Sequence, residues 1–204
     1  CKLVGAGRED MDVRMLGTGR PFVCELSDSR RVPAEADLAS AQAALSLGRL
    51  GVSVRCLQAV GPERLAAIKA GEGEKQKEYR AVVWLGRAVS EAEVEALRGA
   101  RDVVVSQRTP VRVLHRRAAL TRERVVHALT AERVPGCGRC LVVGLRTQAG
   151  TYVKEFVHGD MGRTTPSLGD LLGTTADILQ LDVTNVALDW LPGDEELPLP
   201  PAKE

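Results

Sequence analysis

The spacing of apolar and polar residues along the chain predicts a series of helices. Residues 34–50 are rich in alanine and leucine and stop before Gly51, which is typical of a helix with a glycine cap. A later helix is expected to begin at Ser90, because Ser90 and Glu93 have the spacing of a capping box. Helices are thus predicted over 34–50, from Pro62 to near Gly71, over 90–99, and from just after Gly150.

Alternation of apolar and polar positions, with many β-branched residues, predicts the strands. The segment 123–134 is ambiguous, since its Ala, Leu and Glu residues favour a helix. The turn PGCGRC and the returning run LVVGLRT that follow it favour a hairpin, which is the interpretation we adopt. Strands are therefore expected over 52–60, 77–85, 103–105, 123–134, 141–147 and 177–188. This order predicts an α+β fold of antiparallel strands with helices packed to one side.

Length and composition are typical of a soluble globular protein. With 204 residues, 44% of them hydrophobic, the chain can bury the core of one large domain or of two small intimate ones. No apolar run approaches the roughly 20 residues that span a bilayer, so no membrane partner is expected. The chain begins with Cys1 and shows no signal peptide, and we interpret it as a piece of a longer protein. We expect one domain over 1–190 and a loose, acidic and proline-rich tail over 191–204.

The five cysteines are an odd number in a chain too large to need disulfides, which favours an intracellular compartment, cytoplasm or nucleus. Cys137 and Cys140 form a single CxxC, which could be half of a zinc site. A second pair is missing, and His115, His127 and His158 stand far apart in sequence. We therefore favour a plain turn between two strands and predict no metal.

The charge of the chain is balanced overall but clustered locally. The net charge is only +1, so attraction to nucleic acid has to come from a local cluster. Such a cluster lies in RTPVRVLHRRAALTRER, residues 108–124, which hold six arginines against the single acid Glu123. This segment is either a solvated face or an arm that grips phosphates, because guanidinium groups match phosphate oxygens.

Three carboxylates cluster near the start of the chain, in GREDMDVRMLGTGRP at residues 7–21. Glu9, Asp10 and Asp12 have three interpretations. They could be ordinary turn residues beside glycines, or ligands of a divalent metal. Alternatively, one of them could be a catalytic base or nucleophile held by a neighbouring cation. The segment taken alone favours the turn.

Two other stretches carry candidate chemistry. Tyr79 stands at the mouth of an apolar strand between Lys77 and Arg80, in a chain with only 3% aromatic residues. Its amphipathic ring is either a strand residue with a wet hydroxyl or a functional group. Lys154 and His158 follow Gly150 at the start of a predicted helix and lie one turn apart on the same face.

Four motifs in order resemble one known family. GREDMDVRMLGTGRPF, KQKEYRAVVW, QRTPVRVLHRR and TQAGTYVKEFVHGDMGRT look like those of the Pus-ten family of archaeal and eukaryotic tRNA pseudouridine synthases. The resemblance runs from about Gly7 to about Trp190. GRED also resembles the GRTD stretch of the TruA relatives, and GTYVK the GTYIR stretch of the TruB relatives. The resemblance implies the pseudouridine synthase fold, with two ferredoxin-like halves, and isomerisation of uridine to pseudouridine in tRNA.

The resemblance also implies roles for individual residues. The Asp that closes Gly-Arg-x-Asp is the catalytic residue of the family and matches Asp10, whereas Glu9 and Asp12 become supporting or turn residues. Tyr79 matches the tyrosine that stacks on the target base. Lys154 falls where the TruB relatives carry an arginine that pairs with the catalytic Asp, and Asp160 in the same motif could compete for this lysine.

The arginine-rich segment falls in the interval where the relatives carry a mobile thumb loop. We expect it to contact tRNA, so the predicted RNA-binding residues are Arg8, Arg108, Arg112, His115, Arg116 and Arg117. The resemblance implies uridines at tRNA positions 54 and 55 in the TΨC arm as targets. It also implies that no cofactor is needed, and we expect a monomer.

Two departures and two alternatives accompany this interpretation. The accessory tRNA-binding domain of the family and the first strands of its catalytic domain are expected to be missing before GRED. A catalytically silent RNA-binding module would keep the fold and the arginine segment without using Asp10. A Mg²⁺-dependent nuclease or phosphotransferase would use Glu9, Asp10 and Asp12 together.

Overall fold

A computed structural model describes residues 1–17, 19–47, 51–62, 65–66, 68 and 76–186. The chain forms two compact units. The first comprises Cys1–Ala6 and Pro21–Ala70, and the second comprises Gly7–Arg20 and Gly71–Glu204. In the described part of the chain, no helix is long and apolar enough to cross a membrane.

The described residues of the first unit include two short strands and a helix of 12 residues. Strand β1 (Lys2–Gly5) pairs with β3 (Phe22–Glu25) in antiparallel register, with Gly5 opposite Phe22. Helix α1 spans Glu35–Ser46 and confirms the helix predicted over 34–50, although it ends earlier than predicted. Residues 48–50 lie outside the described part. Asp37 accepts the Ala34 backbone N–H at 3.0 Å and so caps the helix start.

The prediction of a strand over 52–60 is wrong, because these residues pair with no strand. Their backbone groups bond instead to side chains of α1. The Val54 N–H donates to Ser46 Oγ at 3.0 Å, and the Leu57 N–H donates to Gln42 Oε1 at 2.9 Å. Cys56 has a φ of 55°, which an extended strand does not tolerate. The helix predicted from Pro62 to near Gly71 lies largely outside the described residues, as does the tail over 191–204.

The second unit is built on a seven-stranded sheet in the order β2-β9-β4-β7-β6-β5-β8. The β2–β9 pair is parallel and the other pairs are antiparallel, so the sheet is mixed but mainly antiparallel. The strands are β2 (Arg14–Met15), β4 (Lys77–Leu85), β5 (Arg101–Arg108), β6 (Thr121–Arg133), β7 (Cys140–Thr147), β8 (Thr164–Thr165) and β9 (Ala176–Val186). The predicted hairpin of β6 and β7 and the strands at 77–85 and 103–105 are confirmed. The strand predicted over 177–188 is confirmed as far as Val186, and residues 187–188 lie outside the described part.

Among the described residues of this unit, three short helices pack with the sheet. They are α2 (Glu91–Gly99), α3 (Val153–His158) and α4 (Leu168–Leu172). Helix α2 begins with the predicted capping box, in which Ser90 Oγ accepts the Glu93 N–H at 3.3 Å. Helix α2 lies against β6, and α3 lies against β5 and β9. The predicted α+β arrangement with flanking helices is therefore confirmed.

The core lies between one face of the sheet and these helices. Alternate residues of β4 point inward, so Tyr79, Ala81, Val83 and Leu85 are all buried, as expected for a strand with period two. They form one apolar cluster with the inner residues of the helices, among them Val94, Leu97, Phe156, Val157 and Leu168. This packing fixes α3, and with it the side chains at the start of that helix.

Candidate active site

The acidic segment at residues 7–13 is held at the edge of the sheet. Within it, the Val13 N–H donates to the Asp10 carbonyl at 3.1 Å, which closes a turn around Asp10. The segment continues into β2, where Arg14 donates two hydrogen bonds to Asp182 of β9 at 2.7 and 2.8 Å. The hydrogen bond from Arg14 lowers the pKa of Asp182. This bidentate pair fastens the end of the acidic segment to the sheet.

Asp10 and Asp12 both face Lys154 at the start of α3. Lys154 Nζ lies 2.7 Å from each carboxylate oxygen of Asp12 and 3.7 Å from Asp10 Oδ2. The hydrogen bond from Lys154 lowers the pKa of Asp12. The predicted proximity of Lys154 and Asp10 is therefore present, but the shorter contacts of the lysine go to Asp12.

Arg112 is the second cation at Asp10, and its Nη1 lies 2.7 Å from Asp10 Oδ2. The other edge of the same guanidinium faces Glu155, with Nε 2.6 Å from Oε1 and Nη2 3.4 Å from Oε2. Burial disfavours the charged guanidinium, but the bonds to Glu155 and Asp10 outweigh it and raise the pKa of Arg112. Arg112 was predicted to contact RNA, and the structure places it in an ion pair with the candidate catalytic acid.

Glu9 points to a different set of partners. Its Oε1 accepts from Arg20 Nη2 at 2.5 Å and from Lys77 Nζ at 2.8 Å. Lys77 lies on β4 two residues before Tyr79, so Glu9 connects the acidic segment to the strand that carries the tyrosine. Burial, together with the negative charge of Glu9, raises the pKa of Tyr79 well above its usual value of 10.

The base of the arginine-rich segment is anchored. A short 3-10 helix, Val111–Val113, follows β5, and the side chain of Val113 is buried. Asp160 Oδ2 accepts the Val111 N–H at 3.2 Å and lies 3.4 Å from Arg163 Nε. These are the partners of Asp160, so the expected competition with Asp10 for Lys154 is not seen.

The rest of the segment is open to solvent. The side chains from Leu114 to Glu123 are exposed, and so are the remaining predicted RNA contacts, which are Arg8, Arg108, His115, Arg116 and Arg117. Exposed guanidinium groups on a loop are available for phosphate oxygens. Their contact with RNA stays a prediction.

The CxxC forms the turn of the β6–β7 hairpin, as expected. The Cys140 N–H donates to the Cys137 carbonyl at 3.4 Å, and the two sulfur atoms lie 2.6 Å apart. In the part of the chain that the structure describes, no group of three or more His, Cys, Asp or Glu side chains is placed to hold a metal ion. The three carboxylates at the start of the chain instead contact cations.

Two participants were missed by the sequence interpretation. Glu155 is 1% exposed and holds Arg112, and Lys77 holds Glu9. A signal for Glu155 was present, because it is an acid among the apolar residues Val153, Phe156 and Val157 of a helix that packs on the sheet. A charged residue on such a helix is either exposed or paired.

The arrangement brings together one half-exposed carboxylate and two cations. Asp10 is 35% exposed and lies between Arg112 and Lys154, whose nitrogens contact its Oδ2 and orient the carboxylate. A carboxylate of this kind can act as a nucleophile or a base. The combination defines a candidate enzyme site around Asp10.

Comparison with known proteins identifies the family. The model of the family "Pus10, C-terminal" matches residues 1–187, and the chain therefore belongs to the Pus10 C-terminal family, as the four motifs predicted. The human protein "tRNA pseudouridine synthase Pus10" is 44% identical over 188 residues, which are 92% of this chain and 35% of the human protein. The protein of the same name from Archaeoglobus fulgidus is 42% identical over 188 residues, 92% of this chain and 50% of that protein. The chain thus spans between a third and a half of the length of these relatives.

A solved structure of a Cbf5-Nop10-Gar1 complex is a more distant match. One of its chains is 22% identical to this chain, with a TM-score of 0.45, and the match covers 59% of this chain and 33% of the other.

Proposed function

We propose that this chain carries the catalytic centre of a tRNA pseudouridine synthase, with Asp10 as the catalytic residue. The observation that carries the proposal is the placement of the Asp10 carboxylate between Arg112 and Lys154, on a segment fixed to the sheet. The family and the names of its members supply the reaction. The substrate proposed is a uridine of the TΨC arm of tRNA, at position 54, position 55 or both.

The reaction is an isomerisation and needs few groups. The N1–C1′ bond of uridine breaks, the uracil turns, C5 bonds to C1′, and the proton of C5 is lost while N1 gains one. A glycosidase needs two carboxylates because it must handle a water molecule, whereas an isomerase must exclude water and recapture the base. A single ionised carboxylate is therefore sufficient, and Asp10 acts on the nucleoside either as a nucleophile or as a base.

The neighbours of Asp10 have supporting roles in this proposal. Lys154 and Arg112 contact the Asp10 carboxylate and orient it. Tyr79 stacks on the target base and, being protonated, can assist proton movement. Glu9 and Lys77 join the acidic segment to the strand of that tyrosine.

The target uridine has to leave its stack to reach Asp10, which costs free energy. Contacts with the tRNA backbone compensate for this cost. We assign those contacts to the exposed members of the arginine-rich segment, His115, Arg116 and Arg117, together with Arg8 and Arg108. Arg112 is excluded from this group, because its guanidinium is occupied by two carboxylates.

The test is release of tritium from tRNA labelled at uridine C5, because this isomerisation removes the hydrogen of C5. It uses the complete natural polypeptide that contains these residues, with the 204-residue chain alongside. Asp10→Asn keeps the shape of the side chain and removes its charge, and we expect at least about a 100-fold loss of rate. Asp12→Asn is the matched variant two residues away, and because its side chain is 71% exposed we expect a clearly smaller loss.

Other outcomes separate the alternatives. Binding of tRNA without tritium release by the wild-type protein would leave an RNA-binding module. Activity that stops with EDTA would favour the Mg²⁺-dependent class. Equal losses in the Asp10 and Asp12 variants would contradict the special role of Asp10.

A further inference from the structure

We propose that Arg112 and Glu155 form a positioning pair for Asp10. The first part of the arginine-rich segment, Val111–Val113, then belongs to the catalytic centre and not to the RNA-binding surface. This inference rests on the proposed function and adds two residues to it. Neither residue touches the substrate. Glu155 orients Arg112, and Arg112 orients the carboxylate that reacts.

Glu155 is a buried carboxylate whose partner is Arg112. Its side chain is 1% exposed, and it lies on α3 between Lys154 and Phe156. A buried charge is tolerated when it is paired and hydrogen-bonded, and each of its oxygens faces a different nitrogen of Arg112. Glu155 therefore fixes the plane and the rotation of the guanidinium.

The planarity of the guanidinium transmits this constraint to Asp10. Glu155 takes Nε and Nη2, which leaves Nη1 to hydrogen-bond Asp10 Oδ2 at 2.7 Å. Because the five N–H groups of arginine form a rigid planar fork, fixing one edge fixes the direction of the other. A lysine at this position could supply charge but could not hold both carboxylates in one plane.

Arg112 is the closer of the two cations at Asp10. Lys154 Nζ is 3.7 Å from Asp10 Oδ2 and is shared with Asp12, whose side chain is 71% exposed. The orientation of Asp10 therefore depends on Arg112 more than on the lysine that the family motif supplies.

The backbone around Arg112 is also held in place. Asp160 accepts the Val111 N–H, and Arg163 Nη2 donates to the Thr109 carbonyl at 2.7 Å. The Val113 side chain is buried next to Arg112 in sequence. The base of the segment is thus attached to α3 and to the loop that follows it, while the exposed part beyond Val113 remains free for RNA.

The first experiment measures single-turnover tritium release at saturating tRNA, and tRNA affinity, in the complete natural polypeptide. Glu155→Gln removes the charge that orients Arg112, and we expect the rate to fall on the order of 10- to 100-fold with affinity changed less than about twofold. Glu132→Gln is the matched control, since Glu132 is an exposed glutamate on β6, and it should match the wild type. A Glu155→Gln variant equal to Glu132→Gln, or one with a loss confined to affinity, would overturn the inference.

The second experiment first tests Arg112 in a variant that keeps Glu155. Arg112→Ala truncates a side chain that is 38% exposed, so a small cation can enter the vacated position. Added guanidinium ion should raise the rate of this variant at least about tenfold. The same ion should fail to rescue Arg112→Ala combined with Glu155→Gln. Equal rescue in both variants, or rescue in neither, would overturn the pairing. Absence of tritium release from the wild type would instead overturn the proposed function itself, and this inference with it.

Discussion

Tyr79 combines two properties that rarely occur together in a strand residue. Its side chain is 6% exposed and packs in the apolar core, yet it lies close enough to Glu9 for the charge of that carboxylate to affect its pKa. Burial and this negative charge both disfavour the phenolate, so they raise the pKa of Tyr79. The phenol therefore stays protonated over the working range of an enzyme and can donate a hydrogen bond.

This protonation state can be measured directly, because the chain has two tyrosines, Tyr79 and Tyr152. In Tyr152→Phe the remaining phenol is Tyr79, and we expect the folded protein to show no phenolate absorbance at pH 10, the usual pKa. Unfolding with denaturant at the same pH should produce it. Because folding raises the pKa of Tyr79, its protonated phenol adds to the free energy of unfolding below pH 10. This stabilisation is lost as the pH rises above 10. Half-ionisation near pH 10 in the folded protein would contradict this account.

Removal of the Tyr79 hydroxyl distinguishes the role of the aromatic ring from the role of the phenolic proton. Tyr79→Phe keeps the buried ring, so we expect the same melting temperature within experimental error and a rate of tritium release lower by about tenfold or more. Tyr79→Leu removes the stacking surface as well and should lower the rate further. A Phe variant as active as the wild type would leave only the stacking role.

At the scale of elements, the start of α2 shows how a local motif is coupled to pH. Glu93 accepts hydrogen bonds from Arg87, from the Ser90 backbone N–H and from the Ser90 hydroxyl. These bonds, that from Arg87 first, lower the pKa of Glu93 from 4.5 to about 2. The carboxylate therefore stabilises the fold above pH 4.5, and this contribution is lost as the pH falls towards 2.

The prediction compares unfolding of the wild type with Glu93→Gln. The variant should be less stable near neutral pH, and the difference should shrink steadily below pH 4.5. Chemical denaturation at a series of pH values measures it. Glu95→Gln, on the same helix and 69% exposed in its side chain, controls for the loss of one surface charge. A difference independent of pH would show that the capping box acts through shape alone.

Elements were predictable where the local pattern and the tertiary contacts agree. The capping box of α2 and the alternation of β4 are local signals, and both elements formed as expected. The alternation at 52–60 is equally regular, but the Val54 and Leu57 N–H groups found side-chain acceptors on α1 instead of a neighbouring strand. Alternation of apolar and polar residues indicates a tendency to extended backbone. A strand also requires a neighbouring strand to pair with, and the local sequence does not show whether one is present.

At the scale of the whole molecule, charge is neutral overall and concentrated in one segment. The net charge is +1, so under the proposed function we expect binding of tRNA to depend on the exposed arginines between Leu114 and Glu123. Arg116→Ala combined with Arg117→Ala should weaken tRNA binding and reduce the slope of log affinity against log salt by about 1 to 2. Filter binding at several salt concentrations measures this slope. Arg101→Ala, at the opposite end of β5 from the segment, should keep the wild-type slope.

The candidate site was predictable residue by residue but not as an assembly. The motifs indicated Asp10, Tyr79 and Lys154 through family resemblance. The pairs that organise them connect residues 102 and 142 positions apart, Arg112 with Asp10 and Lys154 with Asp12. Such pairings depend on how the sheet brings β2, β5 and α3 together, and no local pattern encodes them. The sequence marks Glu155 as an acid on an apolar helix, but its partner Arg112 lies 43 positions away, and no local pattern joins the two.

The close approach of Gly17 to β9 has a consequence for natural variation. Gly17 has a φ of +62°, and a β-carbon there would lie 2.0 Å from the Thr184 carbonyl oxygen. Any side chain at this position pushes the backbone that follows β2 away from β9, although Gly17 has no chemistry of its own. We therefore expect a missense allele at this codon to lower the proposed activity while every proposed reacting group stays intact. A variant score that counts only reacting groups would class such an allele as neutral.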